Sequence, residues 1–236
     1  MKRSRMDHPE ELETQTNKIL SQSFASPVGE LISLPVGQLS QQESYKILIG
    51  SIVPRPIALV STVNSERVGN LAPFSFFNAV STQPLCISIS ITRRQNGEKK
   101  DTLRNIESTG ELVVNSVAEW MIQQVNHCSA DYPYGVDEMQ KVGLTPLSSQ
   151  IVRPARVKES PVQFECVTER MIEIGDGMAG SSTLIIARVL QIHIDKSAYQ
   201  DGRIMLEHTK PVSRLAGNTY ARITETFDLA RPTLNR

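Results

Sequence analysis

The apolar residues of this chain fall in short runs, most of them of strand length, separated by turn-forming residues. Ile57-Ala58-Leu59-Val60-Ser61-Thr62-Val63 predicts a buried strand, delivered by Pro54-Arg55-Pro56, whose prolines forbid helix. Residues 64–69 read as a turn. From Leu85 to Ile91 the pattern alternates, with Leu85, Ile87, Ile89 and Ile91 on one face and Cys86, Ser88 and Ser90 on the other. Leu112-Val113-Val114-Asn115 predicts a returning strand. Further strands are expected over 163–171 and 183–194, the second with Leu184, Ile186, Leu190, Ile192 and Ile194 on one face.

Helical spacing is rarer. Residues 41–49 predict a short helix ended at Gly50, and 101–107 another, with Asp101 as N-cap and Leu103 and Ile106 inward. Val117, Trp120, Met121, Val125 and Cys128 recur at helical intervals. Residues 1–25 are too polar and unpatterned to bury a face and read as a mobile N-terminal extension. Residues 26–39, with Pro27, Gly29, Pro35 and Gly37, lead in as extended chain, so one domain is expected over 26–236. Strands dominate, there is no regular βαβ alternation, and no G-x-G-x-x-G follows a strand. These patterns argue against a Rossmann domain and for a closed or partly closed antiparallel barrel with helices outside.

Charge narrows the function classes. The 25 basic and 25 acidic residues cancel, so no whole-protein field draws nucleic acid or an anionic membrane surface, and an anionic ligand needs a local cluster of donors. Cys86, Cys128 and Cys166 are far apart with no C-x-x-C pair, which argues against a disulfide framework or a thiolate zinc site and fits a reducing compartment. No run approaches a membrane span. The basic start is followed at once by Asp7, Glu10, Glu11 and Glu13, unlike a signal or transit peptide, so a cytoplasmic protein is expected. His8, His127, His193 and His208 lack metal-ligand spacing, and no metal site is expected. His193 reads either as a structural histidine or as the border of a pocket, and His208 as a loop residue. Tyr220 reads as core, interface or pocket.

Two segments carry candidate chemistry. Gly69-Asn70-Leu71-Ala72-Pro73-Phe74-Ser75-Phe76-Phe77-Asn78 mixes three aromatics with small and polar residues in one connecting stretch. Such a mixture suits a flat heteroaromatic ligand, covered by apolar groups and paired at its rim, although it also reads as a loop pinned to the core by its aromatics. Thr92-Arg93-Arg94-Gln95-Asn96-Gly97-Glu98-Lys99-Lys100-Asp101-Thr102 sets four cations around an Asn-Gly turn at a helix start. Free amides, the helix dipole and cationic side chains there suit a phosphate; the same turn also reads as a solvated loop, and a capping Asp101 would occupy one of the donors. Ser61 and Thr62 are equally ambiguous alone.

Pro54-Arg55-Pro56-Ile57-Ala58-Leu59-Val60-Ser61-Thr62, Gly69-x-Leu-Ala-Pro-Phe-Ser-x-Phe and Lys100-Asp101-Thr102 together resemble the flavin reductase-like, FMN-binding split-barrel family, of which flavoredoxin is a member. The likeness continues through Val113-Val114-Asn115, Gly135-Val136-Asp137-Glu138, Glu159-Ser160-Pro161-Val162 and Arg214-Leu215-Ala216-Gly217-Asn218-Thr219-Tyr220, and covers about 44–232. The resemblance implies a mainly β fold, a Greek-key split β-barrel with short peripheral helices, acting as a homodimer with FMN near the interface. It implies that Ser61 and Thr62 approach the phosphate, and that Asn70, Ala72, Pro73, Phe74 and Ser75 line the isoalloxazine, mainly through backbone groups. Ser90 and Arg93 would follow the ribityl chain and phosphate, and Lys100, Asp101 and Thr102 close the phosphate end. The chain departs from the pattern at Gly175-Asp176-Gly177-Met178-Ala179-Gly180-Ser181-Ser182, a long turn, and at Ile186-Ala187-Arg188-Val189, where many relatives carry Gly-Glu-Val.

The expected activity is NAD(P)H-dependent reduction of flavin, or electron transfer from NAD(P)H through bound FMN to an acceptor, with a monooxygenase as one possible recipient. Hydride transfer to a flavin needs stacking and alignment more than an acid or base, so no catalytic side chain is named. The alternatives are a flavin-binding carrier or sensor without turnover, and an interaction module that has lost the flavin.

Overall fold

The computed structural model describes residues 28–231. The expected extension, residues 1–25, lies outside the described residues. Ser40–Thr224 form one compact unit, and outside it Val36–Gln38 makes a single 3-10 turn. The site belongs to the compact unit.

In chain order that unit contains α1 (Gln41–Ser51), β1 (Arg55–Pro56), β2 (Ala58–Val63), β3 (Gly69–Phe74), β4 (Phe77–Thr82), β5 (Leu85–Thr92), α2 (Asp101–Thr109) and β6 (Glu111–Ser116). There follow α3 (Ile122–His127), α4 (Glu138–Lys141), β7 (Pro146–Leu147), β8 (Arg156–Val157), β9 (Val162–Ile174) and β10 (Ser182–Ile194). The last elements are β11 (Tyr199–Gln200), β12 (Arg203–Ile204), α5 (Leu206–Thr209), β13 (Val212–Arg214) and β14 (Tyr220–Arg222).

The main sheet is antiparallel, in the order β3-β2-β6-β9-β10-β5-β4. Its two edge strands, β3 and β4, are consecutive in the chain and joined only through Ser75 and Phe76. The Ser90 amide donates to the Phe76 carbonyl (2.8 Å), and Phe74 shares a core with Ile89 and Ile91. The sheet therefore curls until its edges approach without pairing, which makes a split barrel.

β2 is buried along its whole length because both of its faces are covered. Ala58 and Val60 point with Phe74, Leu103, Ile106, Leu112 and Ile185 into the barrel core. Leu59 and Leu71 point the other way, to a second core with Met121, Val125, Met139 and Val212. This division by strand period decides which candidate side chains can meet.

Several local expectations are corrected. α1 runs past Gly50 to Ser51, because the Ile52 amide bonds the Leu48 carbonyl (3.1 Å) and a buried arginine takes the next free carbonyls; Ser40 and Glu43 form a capping box at its start. The stretch 69–78 is not one connection but an edge strand, a short turn and a second edge strand. Pro73 is tolerated there because it lies two residues beyond Leu71, whose amide faces away from β2 toward Glu138, so its missing N–H costs no ladder bond. The helical pattern from Val117 resolves into a 3-10 turn, Glu119–Met121, followed by α3. Trp120 is half exposed there, with its indole N–H donating to the Glu159 carbonyl (2.9 Å). Leu85 also lies outside the core.

On β10, register shifts at Ile186/Ala187 and Val189/Gln191 break the period. Thr183, Ile185 and Ala187 are buried, whereas Leu184 and Ile186 are only half-buried and Leu190 and Ile192 exposed. His208 lies in the short helix α5 rather than in a loop.

Candidate functional site

The start of α2 sits against β2 and β3. Lys100, in extended conformation, is the N-cap residue and makes no capping bond with its side chain. Asp101 is the first helical residue rather than the cap, and its carboxylate faces Arg94 at 3.4 Å. The Asp101 and Thr102 amides thus stand at a helix start free of a side-chain cap.

The Asn70 amide nitrogen donates to both the Thr102 hydroxyl (2.9 Å) and the Thr62 hydroxyl (3.2 Å), and the Asn105 amide donates to Thr62 as well (3.1 Å). All four residues are buried. Both lone pairs of Thr62 are filled, and Thr102 accepts one bond. Neither hydroxyl hydrogen has an acceptor among the described residues. The Asn105 side-chain oxygen, Oδ1, is buried without a partner among the described residues, as is the Arg93 Nε–H. Such orphaned groups are costly unless something else meets them.

Charge at this point is unbalanced. Arg93 pairs with Glu173 (3.0 Å), Arg94 with Asp131 (2.6 Å) and Lys99 with Glu107 (2.6 Å). Lys100 has no carboxylate partner among the described residues; its ammonium lies 5.6 Å from the centroid of Phe74. Burial, and secondarily Arg94, pushes its pKa down, against a smaller upward pull from Asp131. A desolvated ammonium beside a helix start and two free hydroxyl hydrogens is chemically an anion site.

The structure thus joins the two segments singled out by sequence. Asn70 on β3 bonds Thr102 on α2, and Phe74 on β3 underlies Lys100. Ala72 shares their face of β3. Ser61 and Pro73 lie on the opposite face, and the Ser61 hydroxyl is committed to the Ala155 carbonyl (2.5 Å). Ser75 occupies the turn between the edge strands. Ser90 lies on β5 beside that turn, and no hydrogen bond joins Ser90 or Arg93 to the Thr62–Asn70–Thr102 cluster among the described residues.

Two participants escape the sequence reading. Asn105 lies one turn after Thr102 on the same helical face, a spacing that marks it. Glu138 is marked only by its place in the Gly135-Val136-Asp137-Glu138 motif: its carboxylate, brought by α4, accepts the outward Leu71 amide (2.8 Å) and covers the edge of β3. Burial raises its pKa, aided by Asp101 and Asp137, against the lowering effect of the Leu71 bond. His193 pairs with buried Glu165 (2.6 Å), and Tyr220 donates to Asn126 (3.1 Å). The three cysteines are free and buried, and burial pushes the Cys128 and Cys166 thiols up to about 12.

A family model described as the flavin reductase like domain matches residues 49–212. The chain belongs to the flavin reductase-like family. It is 42% identical over 199 residues to the uncharacterized protein YwrF of Bacillus subtilis, covering 83% of this chain and 96% of that one. Among solved structures it resembles nitrilotriacetate monooxygenase component B from Bacillus cereus, at TM-score 0.82 and 39% identity, over 86% of this chain and 100% of the other. Flavoredoxin of Desulfovibrio vulgaris (Miyazaki F) shares the fold at TM-score 0.65 and 20% identity, over 76% of this chain and 92% of that one. Membership in this oxidoreductase family implies a flavin cofactor, and the orphaned donors, acceptor and cation around α2 fit one.

Proposed function

We propose that the protein is an FMN-dependent oxidoreductase of the cytoplasm that draws electrons from NAD(P)H and passes them through the flavin to an acceptor. One observation carries the reading: Asn70 bridges Thr62 to Thr102 at the start of α2, with the unpartnered Lys100 above Phe74. A mononucleotide matches this arrangement, since it brings one phosphate to one desolvated cation and one helix start. Lys100, the Thr102 hydroxyl and the Asp101 and Thr102 amides hold the phosphate. Thr62, Asn105 and Arg93 offer a free hydroxyl hydrogen, an acceptor and a donor to the ribityl hydroxyls. Ser61, with its own hydrogen committed, serves only through its backbone. Asn70, Ala72, Phe74 and Ser75 line the ring, Pro73 on the opposite face contributes only through its backbone, and Ser90 borders the chain. The bound flavin supplies the hydride-accepting and electron-passing chemistry; the protein's residues bind it, orient it and exclude water.

A homodimer is part of this reading. Met171, Ile172 and Ile174 at the turn end of β9, beyond its pairing with β6, and Leu190 and Ile192 at the opposite end of β10, beyond its pairing with β5, are exposed. Exposed apolar side chains on these two unflanked strand ends fit burial against a second copy. A monooxygenase is the acceptor partner favoured by likeness to the nitrilotriacetate monooxygenase component.

The absorption spectrum of the purified protein, with identification of the released chromophore, tests the cofactor. Anaerobic mixing with NADH and with NADPH tests turnover. Bleaching on a catalytic time scale supports the enzyme; lasting colour would make the protein a flavin carrier. No flavin bands and no uptake of added FMN overturns the proposal.

A further inference from the structure

Arg55 is 6% exposed and has no carboxylate partner among the described residues. Its guanidinium instead meets carbonyl oxygens. Nη1 donates to Ile49 and Ile52 (2.6 Å each), at the negative end of the α1 dipole, and Nη2 donates to Leu215 (2.8 Å), just past β13. Nε reaches the Ser75 hydroxyl at 3.5 Å. One side chain thus ties together α1, the β13–β14 hairpin and the turn between the two sheet edges. These segments are distant in sequence, and three of the four contacts are at full hydrogen-bond strength.

The arrangement is costly. Burial pushes the Arg55 pKa down, Tyr45 opposes it, and Arg214 adds a smaller downward push. Arg214 stands directly opposite Arg55 across β1 and β13, where like charges repel, and it too has no carboxylate among the described residues. Arg214 is held by the Tyr220 phenol and the Gly217 carbonyl (2.5 Å) and stacks on the Tyr220 ring at 4.5 Å. A hydrophobic side chain of similar volume would fill the Arg55 position without these penalties. Lysine would carry the charge but lacks a planar fork able to serve acceptors in several directions.

We propose that Arg55 is a positioning residue for the ring end of the flavin site. It fixes the Ser75 turn, at the gap between β3 and β4, relative to α1 and to the hairpin that carries Arg214 and Tyr220. The inference rests on the flavin reading above and adds to it a residue that does not line the site.

The test compares full-length R55K and R55M with wild type and with E165Q, a substitution that removes a buried charge far from the Ser75 turn in sequence. Affinities for FMN and for riboflavin are measured by quenching of flavin fluorescence, and the visible bands of the bound flavin are recorded, at a temperature where thermal melts show all four proteins folded. A ring-end role predicts that R55K weakens both ligands by about the same factor, on the order of tenfold, and shifts the bound flavin's visible bands. E165Q should lower the melting temperature and leave affinities and bands unchanged. Wild-type affinities and bands in R55K would overturn the inference, as would equal losses in E165Q. Should R55K fail to fold, R55M together with S75A supplies the comparison: unchanged bands in both overturn it. A wild-type protein that takes up neither ligand overturns the flavin reading itself, a result distinct from all of these.

Discussion

Lys100 and Glu138 are the two residues beside the site whose ionisation is held away from its ordinary range, both by burial. For Lys100 the physical argument separates stability from binding. An unpartnered, desolvated ammonium opposes folding of the empty protein, so K100M should leave the apoprotein's melting temperature unchanged or raise it. The same substitution should weaken FMN by roughly ten- to a hundredfold while riboflavin, which lacks the phosphate, is little affected. Fluorescence titration beside a thermal melt checks both halves. Glu138 has a raised folded pKa, so its contribution to stability is full below the ordinary carboxylate pKa and is lost as pH rises through the folded value. E138Q keeps an acceptor for the Leu71 amide without the charge, and should match or exceed wild-type stability at pH 8. E138A leaves that amide bare and should cost about 1–3 kcal/mol in denaturant unfolding. A loss in E138Q equal to that in E138A would falsify this account of the carboxyl.

Among the elements, the connection from β7 to β9 depends most on one side chain. Glu165, on β9, is fully buried and accepts from the amides of Gln150 (2.8 Å), Ile151 (2.6 Å) and Val152 (3.1 Å), with His193 at 2.6 Å. Burial alone would raise its pKa; these hydrogen bonds outweigh burial and lower it. Stability from Glu165 is therefore present above the ordinary carboxylate pKa and is lost as pH falls through the lowered folded value. E165Q should cost about 2–4 kcal/mol at neutral pH and flatten the acid limb of the stability curve, read by denaturant unfolding from pH 7 to pH 3. The same loop presents the Ala155 carbonyl to Ser61, on the face of β2 turned away from Thr62 and Asn70. At the other end of the unit, S40A should lose the capping box of α1, at about 1 kcal/mol.

For the molecule as a whole, the exposed apolar ends of β9 and β10 are the proposed site of association. Replacing Ile172 or Ile192 with aspartate puts a charge among side chains proposed to be buried between two copies, and should shift light-scattering mass from dimer to monomer. A monomeric wild type would remove the dimer from the proposal without touching the phosphate site. Because the barrel stays split between β3 and β4, the cofactor reading also predicts that flavin uptake slows amide exchange along β3 and the start of α2 more than along β9.

Strand runs, the turn at residues 64–69 and the cluster of cations before Asp101 are local properties, so the mainly β character and a cation-rich helix start were legible in the sequence, as was the family through ordered motifs. Local pattern also names Thr62, Asn70 and Thr102. It does not show that they touch, because they come from two strands and a helix. Strand period turns Ser61 and Pro73 away from them, and only the packing of α2 against β2 and β3 brings the hydroxyls under one amide. Bulges invisible in a hydrophobicity pattern shift the buried face of β10. Along the chain Arg55 and Glu138 stand out only as members of motifs, and Glu165 not at all; their roles arise from acceptors and amides contributed by distant segments, which tertiary structure alone supplies.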